Sequence, residues 1–101
     1  MEHMPTRQER ARVTGVRWVV TGVVQGVGFR WFVRRAALAH GVRGDVRNLE
    51  NGSVEVRAIG PDAAVERVLA ELRVGPRSAQ VDEIVSFAWD GADAGPGFGI
   101  I

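Results

Sequence analysis

The feature that most constrains this 101-residue chain is a change of hydrophobic period across one short, glycine-bounded segment. Before it, residues 16–24 (VRWVVTGVV) are β-branched and aromatic, so they read as a strand. Alternation sends Trp18 and Val20 to one face and Arg17, Val19 and Thr21 to the other. After it, Phe29, Val33, Ala36, Ala37 and His40 recur at helical spacing and Gly41 follows as a stop, which predicts a helix over 29–40. The junction itself, Gln25-Gly26-Val27-Gly28, places two glycines in four residues. That density marks a turn with unusual backbone angles, or a close approach to something.

The rest of the chain continues the alternation of periods. Residues 42–49 (VRGDVRNL) read as a second strand, and Asn51-Gly52 favours a tight hairpin turn. Residues 53–59 (SVEVRAI) form a third strand, with Val54, Val56 and Ala58 facing one way and Glu55 and Arg57 the other. Gly60-Pro61-Asp62 opens a second helix, where Asp62 complements the positive N-terminus. Val65, Val68, Leu69 and Leu72 make its apolar stripe, and it ends before Gly75-Pro76. Residues 81–89 (VDEIVSFAW) read as a fourth strand, with Val81, Glu83, Val85, Phe87 and Trp89 on one face. A loop over 90–97 follows, and 98–101 is a candidate for a short edge strand.

This order, β-α-β-β-α-β, predicts an α+β, ferredoxin-like sandwich with two helices on one face of a four-stranded, mostly antiparallel sheet. Trp18, Phe29, Phe32 and Phe87 are expected in or beside the core, and Trp31 and Trp89 outside it. The length suits one domain, assigned to residues 15–101, after a polar arm over residues 1–14 that reads as flexible.

Composition excludes several chemistries. Without cysteine there is no disulfide framework, thiolate metal site or cysteine nucleophile. The two histidines, His3 and His40, are far apart, which argues against a histidine-based metal site or a Ser–His–Asp triad. Thirteen basic residues, all arginine, face twelve acidic ones, a balance that argues against a dedicated nucleic-acid binder. No apolar run approaches membrane-spanning length and the polar N-terminus lacks the apolar core of a signal peptide, so a cytoplasmic location is expected.

The segment from Gly22 to Arg30 (GVVQGVGFR) carries the strongest chemical signal. A strand-to-helix loop leaves several main-chain N–H groups without partners, and the helix N-terminus adds a positive end. Gly26 and Gly28 keep side chains out of a ligand's way, and Arg30 in the first turn supplies a guanidinium fork for two phosphate oxygens. The sum is a metal-free phosphate cradle. On spacing alone, a plain β-to-α turn with a solvated Arg30 stands beside this reading. The Gly-Lys-Ser/Thr ending of a Walker loop is absent, and no second parallel strand with a ribose-binding acid follows. Asn48, read alone, is a turn residue flanking the hairpin.

Val24-Gln25-Gly26-Val27-Gly28-Phe29-Arg30 resembles the signature of the acylphosphatase family. The stretch from Gly44 to Glu55 (GDVRNLENGSVE) is similar to that family's second signature, and the stretch from Gly75 to Val81 (GPRSAQV) to its approach to the last strand. The matches occur in the family's order and span nearly all of the ordered chain. Val23 stands where the family often has a basic residue, Asp45 where an aromatic or small one is commoner, and Asn51 where aspartate is common.

The resemblance implies hydrolysis of the carboxyl–phosphate anhydride of acyl phosphates by in-line attack of water, with no cofactor and no metal. It implies that Arg30 binds the phosphoryl group and that Asn48 orients the water. The substrate-binding segment would be Gln25, Gly26, Val27, Gly28 and Phe29, whose N–H groups, with that of Arg30, form the cradle. The expected partner is a small acyl phosphate, with phosphate or sulfate as competing anions. A monomer without nucleic-acid or membrane partners is expected.

Two other readings stand against this. One is an RNA-binding module of the same fold, since residues 27–33 (VGFRWFV) faintly resemble the aromatic sequence of such modules. Those modules carry their aromatics on the third strand, and residues 53–59 have none. The other is a domain of the fused type found within larger maturation factors, binding a carbamoyl phosphate analogue. A free-standing hydrolase is the simpler expectation.

Overall fold

The computed structural model describes Met4 and residues 12–101. The arm expected over residues 1–14 falls largely outside the described residues, but its last two, Val13 and Thr14, belong to the first strand and pair with Pro61 and Gly60. The elements run β1 (Val13–Val23), α1 (Phe29–Ala39), β2 (Arg43–Asn48), β3 (Val54–Pro61), α2 (Asp62–Val74), β4 (Gln80–Ala88) and β5 (Phe98–Ile100). They form one sheet in the order β4-β1-β3-β2-β5. β1 pairs antiparallel with β3 and β4, β2 antiparallel with β3, and β5 parallel with β2.

Both helices cover the same face. Trp18 and Val20 of β1, Val54, Val56 and Ala58 of β3 and Val46 of β2 point toward them, all buried. Phe29, Val33, Ala36 and Ala37 of α1 and Val65, Val68 and Leu72 of α2 close the core from above. A period of 2 in the strands and about 3.6 in the helices puts these side chains on facing surfaces, and their removal from water is the main stabilising term.

Two expectations are corrected. The sheet has five strands, not four. The C-terminal segment crosses from the β4 edge to the opposite edge and adds three residues beside β2, where Phe98 is buried. The candidate edge strand at 98–101 is this fifth strand, and three residues are too few for alternation to say which edge it joins. Gly44 N–H donates to Gly97 O at 3.0 Å and Arg34 Nε donates to Phe98 O at 3.0 Å, so contacts from β2 and α1 hold this segment.

The second correction concerns β4. Thr21 pairs with Glu83 and Gly22 with Val81, leaving Asp82 as the extra residue of a bulge. The bulge reverses the facing of the strand. Val81 packs against the core, while Val85 and Phe87 pair with Val19 and Arg17 on the open face. Phe87 is therefore 46% exposed and lies under the Arg17 guanidinium, 4.8 Å from its ring centroid, instead of in the core. Trp31 is exposed as expected, whereas Trp89 is half-buried under Arg57.

The open face carries two ion-pair clusters. Glu55 is 4% exposed and accepts from Arg17 Nε at 2.6 Å and Arg47 Nε at 2.8 Å. Burial pushes the Glu55 carboxyl up, but the hydrogen bonds and charges of Arg17 and Arg47 outweigh it and hold the group below its ordinary value. Arg57 donates to both oxygens of Asp45, at 2.9 and 2.5 Å, and to Asp93 at 3.1 Å. The hydrogen bond to Asp45 is the main cause that raises the Arg57 pKa.

Candidate active site

The loop between β1 and α1 is anchored at both ends. Val24 before it and Phe29 after it are buried, so the four residues between them arch over the edge of the core. Gly26 and Gly28 have φ of 74° and 79°, in the left-handed region that favours glycine. Apart from the glycine and its chain neighbours, no protein atom lies within 4 Å of where a Cβ would stand on either residue, so each glycine faces open space.

Gly28 is the N-cap of α1 and offers no side chain, and the first turn holds no acidic residue. The first helical hydrogen bond runs from Phe32 N–H to Gly28 O. Among the described residues, no main-chain carbonyl outside the helix and no side chain accepts from the N–H groups of residues 25–31. A helix start with free N–H groups and no compensating carboxylate is a place where an anion binds. Arg30, half-buried, belongs to this first turn and adds a permanent positive charge.

Asn48 stands outside this loop, on the sheet. It is the last residue of β2 and pairs with Val54, which on its other side pairs with Val20. Asn48 and Val20 therefore lie in one row across the sheet, two strand spacings or about 10 Å apart. Asn48 has the parity of buried Val46, so it belongs to the helix-covered side of the sheet. Its exposure shows that it lies beyond the end of that cover. Asp45 has the opposite parity and is committed to Arg57 on the open face.

One side chain joins the loop to the strand end. Gln25 Nε2 donates to Leu49 O at 2.7 Å and to Ser53 O at 2.8 Å, the two carbonyls that flank the hairpin turn. The Gln25 side chain thus faces the hairpin, and only its main chain is left to face a ligand. The turn has its own brace, since Asn51 Oδ1 accepts from Ser53 N–H at 3.0 Å and from the Ser53 hydroxyl. A second tie comes from the segment before β4, where Ser78 Oγ donates to Val27 O at 2.8 Å.

Sequence reasoning named Gln25 for its main chain and gave Ser78 no role. The one available signal for Ser78 was its place in the segment 75–81. The aromatic run that resembles an RNA-binding sequence lies in α1, not on the sheet. Phe29 is buried and stands 6.0 Å from Phe32, ring centroid to ring centroid. Val23 is exposed, and His40 caps the C-terminal end of α1 and contacts Glu71. Among the described residues, no group of three or more His, Cys, Asp or Glu side chains is placed to hold a metal ion, and no helix is long and apolar enough to cross a membrane.

The chain and its fold are similar to those of known proteins. A sequence profile described as acylphosphatase matches residues 16–100. An acylphosphatase of Koribacter versatilis is 52% identical over 68 residues, which cover 67% of this chain and 62% of that protein. One from Caldivirga maquilingensis is 43% identical over 86 residues, 84% of this chain and 90% of that protein. The structure of an acylphosphatase from Coxiella burnetii superposes with a TM-score of 0.83 at 30% identity, covering 95% of this chain and all of the other. With a profile match that runs from within β1 to the end of β5, the chain belongs to the acylphosphatase family.

Proposed function

We propose that the protein is a hydrolase that splits the carboxyl–phosphate anhydride of acyl phosphates, using the β1–α1 loop and Arg30 to hold the phosphoryl group and Asn48 to orient the attacking water. The observation that carries this reading is the uncapped start of α1, with its free N–H groups and Arg30, tied by Gln25 to the strand end that bears Asn48. The order β4-β1-β3-β2 of the antiparallel strands supports the ferredoxin-like reading of the fold.

The reaction needs positioning and charge stabilisation more than strong base catalysis, because the carboxylate is a good leaving group. The loop N–H groups and the Arg30 guanidinium stabilise the phosphoryl oxygens as charge redistributes in the transition state. The Asn48 amide holds a water in line behind phosphorus. The water oxygen forms the new bond to phosphorus while the bond to the acyl oxygen breaks. Carboxylate and inorganic phosphate leave, and the water's proton passes to a phosphate oxygen or to solvent. No step requires a metal. Phosphate and sulfate compete for the same cradle, and a cytoplasmic monomer with no nucleic-acid or membrane partner is the simplest setting for this chemistry.

The test follows benzoyl phosphate hydrolysis by ultraviolet absorbance with a chelator present. The wild type turns over, and Arg30→Ala and Asn48→Ala, both folded, each lose about 100-fold or more in kcat. A folded wild type that leaves benzoyl phosphate intact would refute the function. Variants as active as the wild type would refute the residue roles.

A further inference from the structure

The geometry assigns Gln25 a role as positioning residue: its side-chain amide sets the place of Asn48 relative to the phosphate loop, and so the line of attack of the water. This inference rests on the function proposed above. Gln25 Nε2 is 2.7 Å from Leu49 O and 2.8 Å from Ser53 O, so the NH2 end of the amide faces two carbonyl acceptors and uses both of its hydrogens here.

Neither carbonyl depends on Gln25 for a partner. Leu49 O also accepts from Gly52 N–H at 3.2 Å, and Ser53 O from Leu49 N–H at 2.9 Å. The hairpin therefore closes without the glutamine. What the amide adds is a fixed span between two segments that the sheet does not otherwise hold together. The β1–β3 ladder ends at the Val20–Val54 pair, five residues before Gln25, and β1 then leaves β3 to form the loop. Leu49 is the residue directly after Asn48, so anchoring its carbonyl anchors the peptide that carries the asparagine.

Cutting this tie is expected to separate two properties. The cradle N–H groups and Arg30 belong to the loop and α1, so phosphate still binds. The water loses its alignment, because a misplacement near 1 Å is enough to cost about 100-fold in rate.

The experiment is a double-mutant cycle on benzoyl phosphate hydrolysis with wild type, Gln25→Met, Asn48→Ala and the double variant, with inhibition by inorganic phosphate measured on each. Gln25→Met is expected to lower kcat by about 10- to 100-fold while the phosphate inhibition constant moves by less than about threefold. In the Asn48→Ala background, Gln25→Met is expected to change kcat by less than about threefold, since the group it positions is gone.

Independent, multiplying losses of kcat would overturn the inference. So would an unchanged kcat, or a loss of phosphate affinity as large as the loss of rate. If Gln25→Met fails to fold by circular dichroism, Gln25→Asn replaces it, keeping the amide on a stem one methylene too short. Wild-type activity in Asn48→Ala would remove the reading of Asn48 itself. An impaired Asn48→Ala with a silent or multiplicative Gln25→Met would refute the positioning role alone.

Discussion

The hydroxyl of Ser78 donates to the carbonyl of Val27 at 2.8 Å, tying the segment that leads into β4 to the middle of the β1–α1 loop. The bond turns the Val27–Gly28 peptide so that its carbonyl points at Ser78, and its N–H therefore points the other way. A loop that is to hold an anion with N–H groups needs its carbonyls turned aside, and Ser78 holds one of them.

Ser78→Ala is accordingly expected to weaken inhibition by inorganic phosphate and raise KM by about fivefold, the equivalent of one hydrogen bond of about 1 kcal/mol. The alanine variant keeps its fold, because Ser78 is exposed and the freed carbonyl is open to water. Steady-state kinetics with phosphate as inhibitor decides the point. An unchanged inhibition constant would mean that the loop keeps its shape without Ser78.

Glu55 predicts an acid-dependent loss of stability. Its folded pKa lies below the ordinary value of 4.5, because Arg17 and Arg47 together outweigh the cost of burial. A group depressed in the folded state contributes fully above its unfolded pKa, and the contribution is lost as pH falls through the folded pKa. At pH 7, Glu55→Gln is expected to be less stable than the wild type by about 1–3 kcal/mol. Arg17 and Arg47 are 35% and 49% exposed, which screens the pairs and favours the lower end. Below pH 4.5 the gap narrows, and it closes when the carboxyl is protonated. Urea unfolding followed by tryptophan fluorescence across this pH series measures it, and a gap independent of pH would contradict the ion-pair origin.

Phe29 and Phe87 separate a core aromatic from a surface one. Phe29 is 1% exposed and anchors the end of the loop, so Phe29→Ala is expected to cost about 3–5 kcal/mol. Phe87, half-exposed beneath Arg17, offers only partial burial and a cation–π contact, so Phe87→Ala is expected to cost about 1 kcal/mol or less. Thermal or urea unfolding of the two variants compares them directly. Equal losses would contradict the facing that the β4 bulge imposes.

The contrast between those two phenylalanines marks where local pattern stops being informative. The order of strands and helices, the inward facing of Trp18, Val20, Val54, Val56 and Ala58, and the stripe of Val65, Val68 and Leu72 were all legible in the sequence. They depend on periods of 2 and 3.6 residues, which the steric rules of the backbone set within a few residues. The loop with Gly26, Gly28 and Arg30 was legible for the same reason, since a strand-to-helix junction with positive φ needs glycine where it bends. The facing of β4 was not, because the bulge at Asp82 exists only in its pairing with β1, about sixty residues earlier in the chain. Nor was the place of the fifth strand, a candidate in the sequence, whose three residues are held beside β2 by β2 itself and by Arg34. Nor were the bonds from Gln25 to the hairpin and from Ser78 to Val27, which join residues 24 to 51 positions apart. Such contacts have no local period to betray them. They form only where folding has brought distant carbonyls and donors within about 3 Å, and it is the tertiary structure that decides which ones meet.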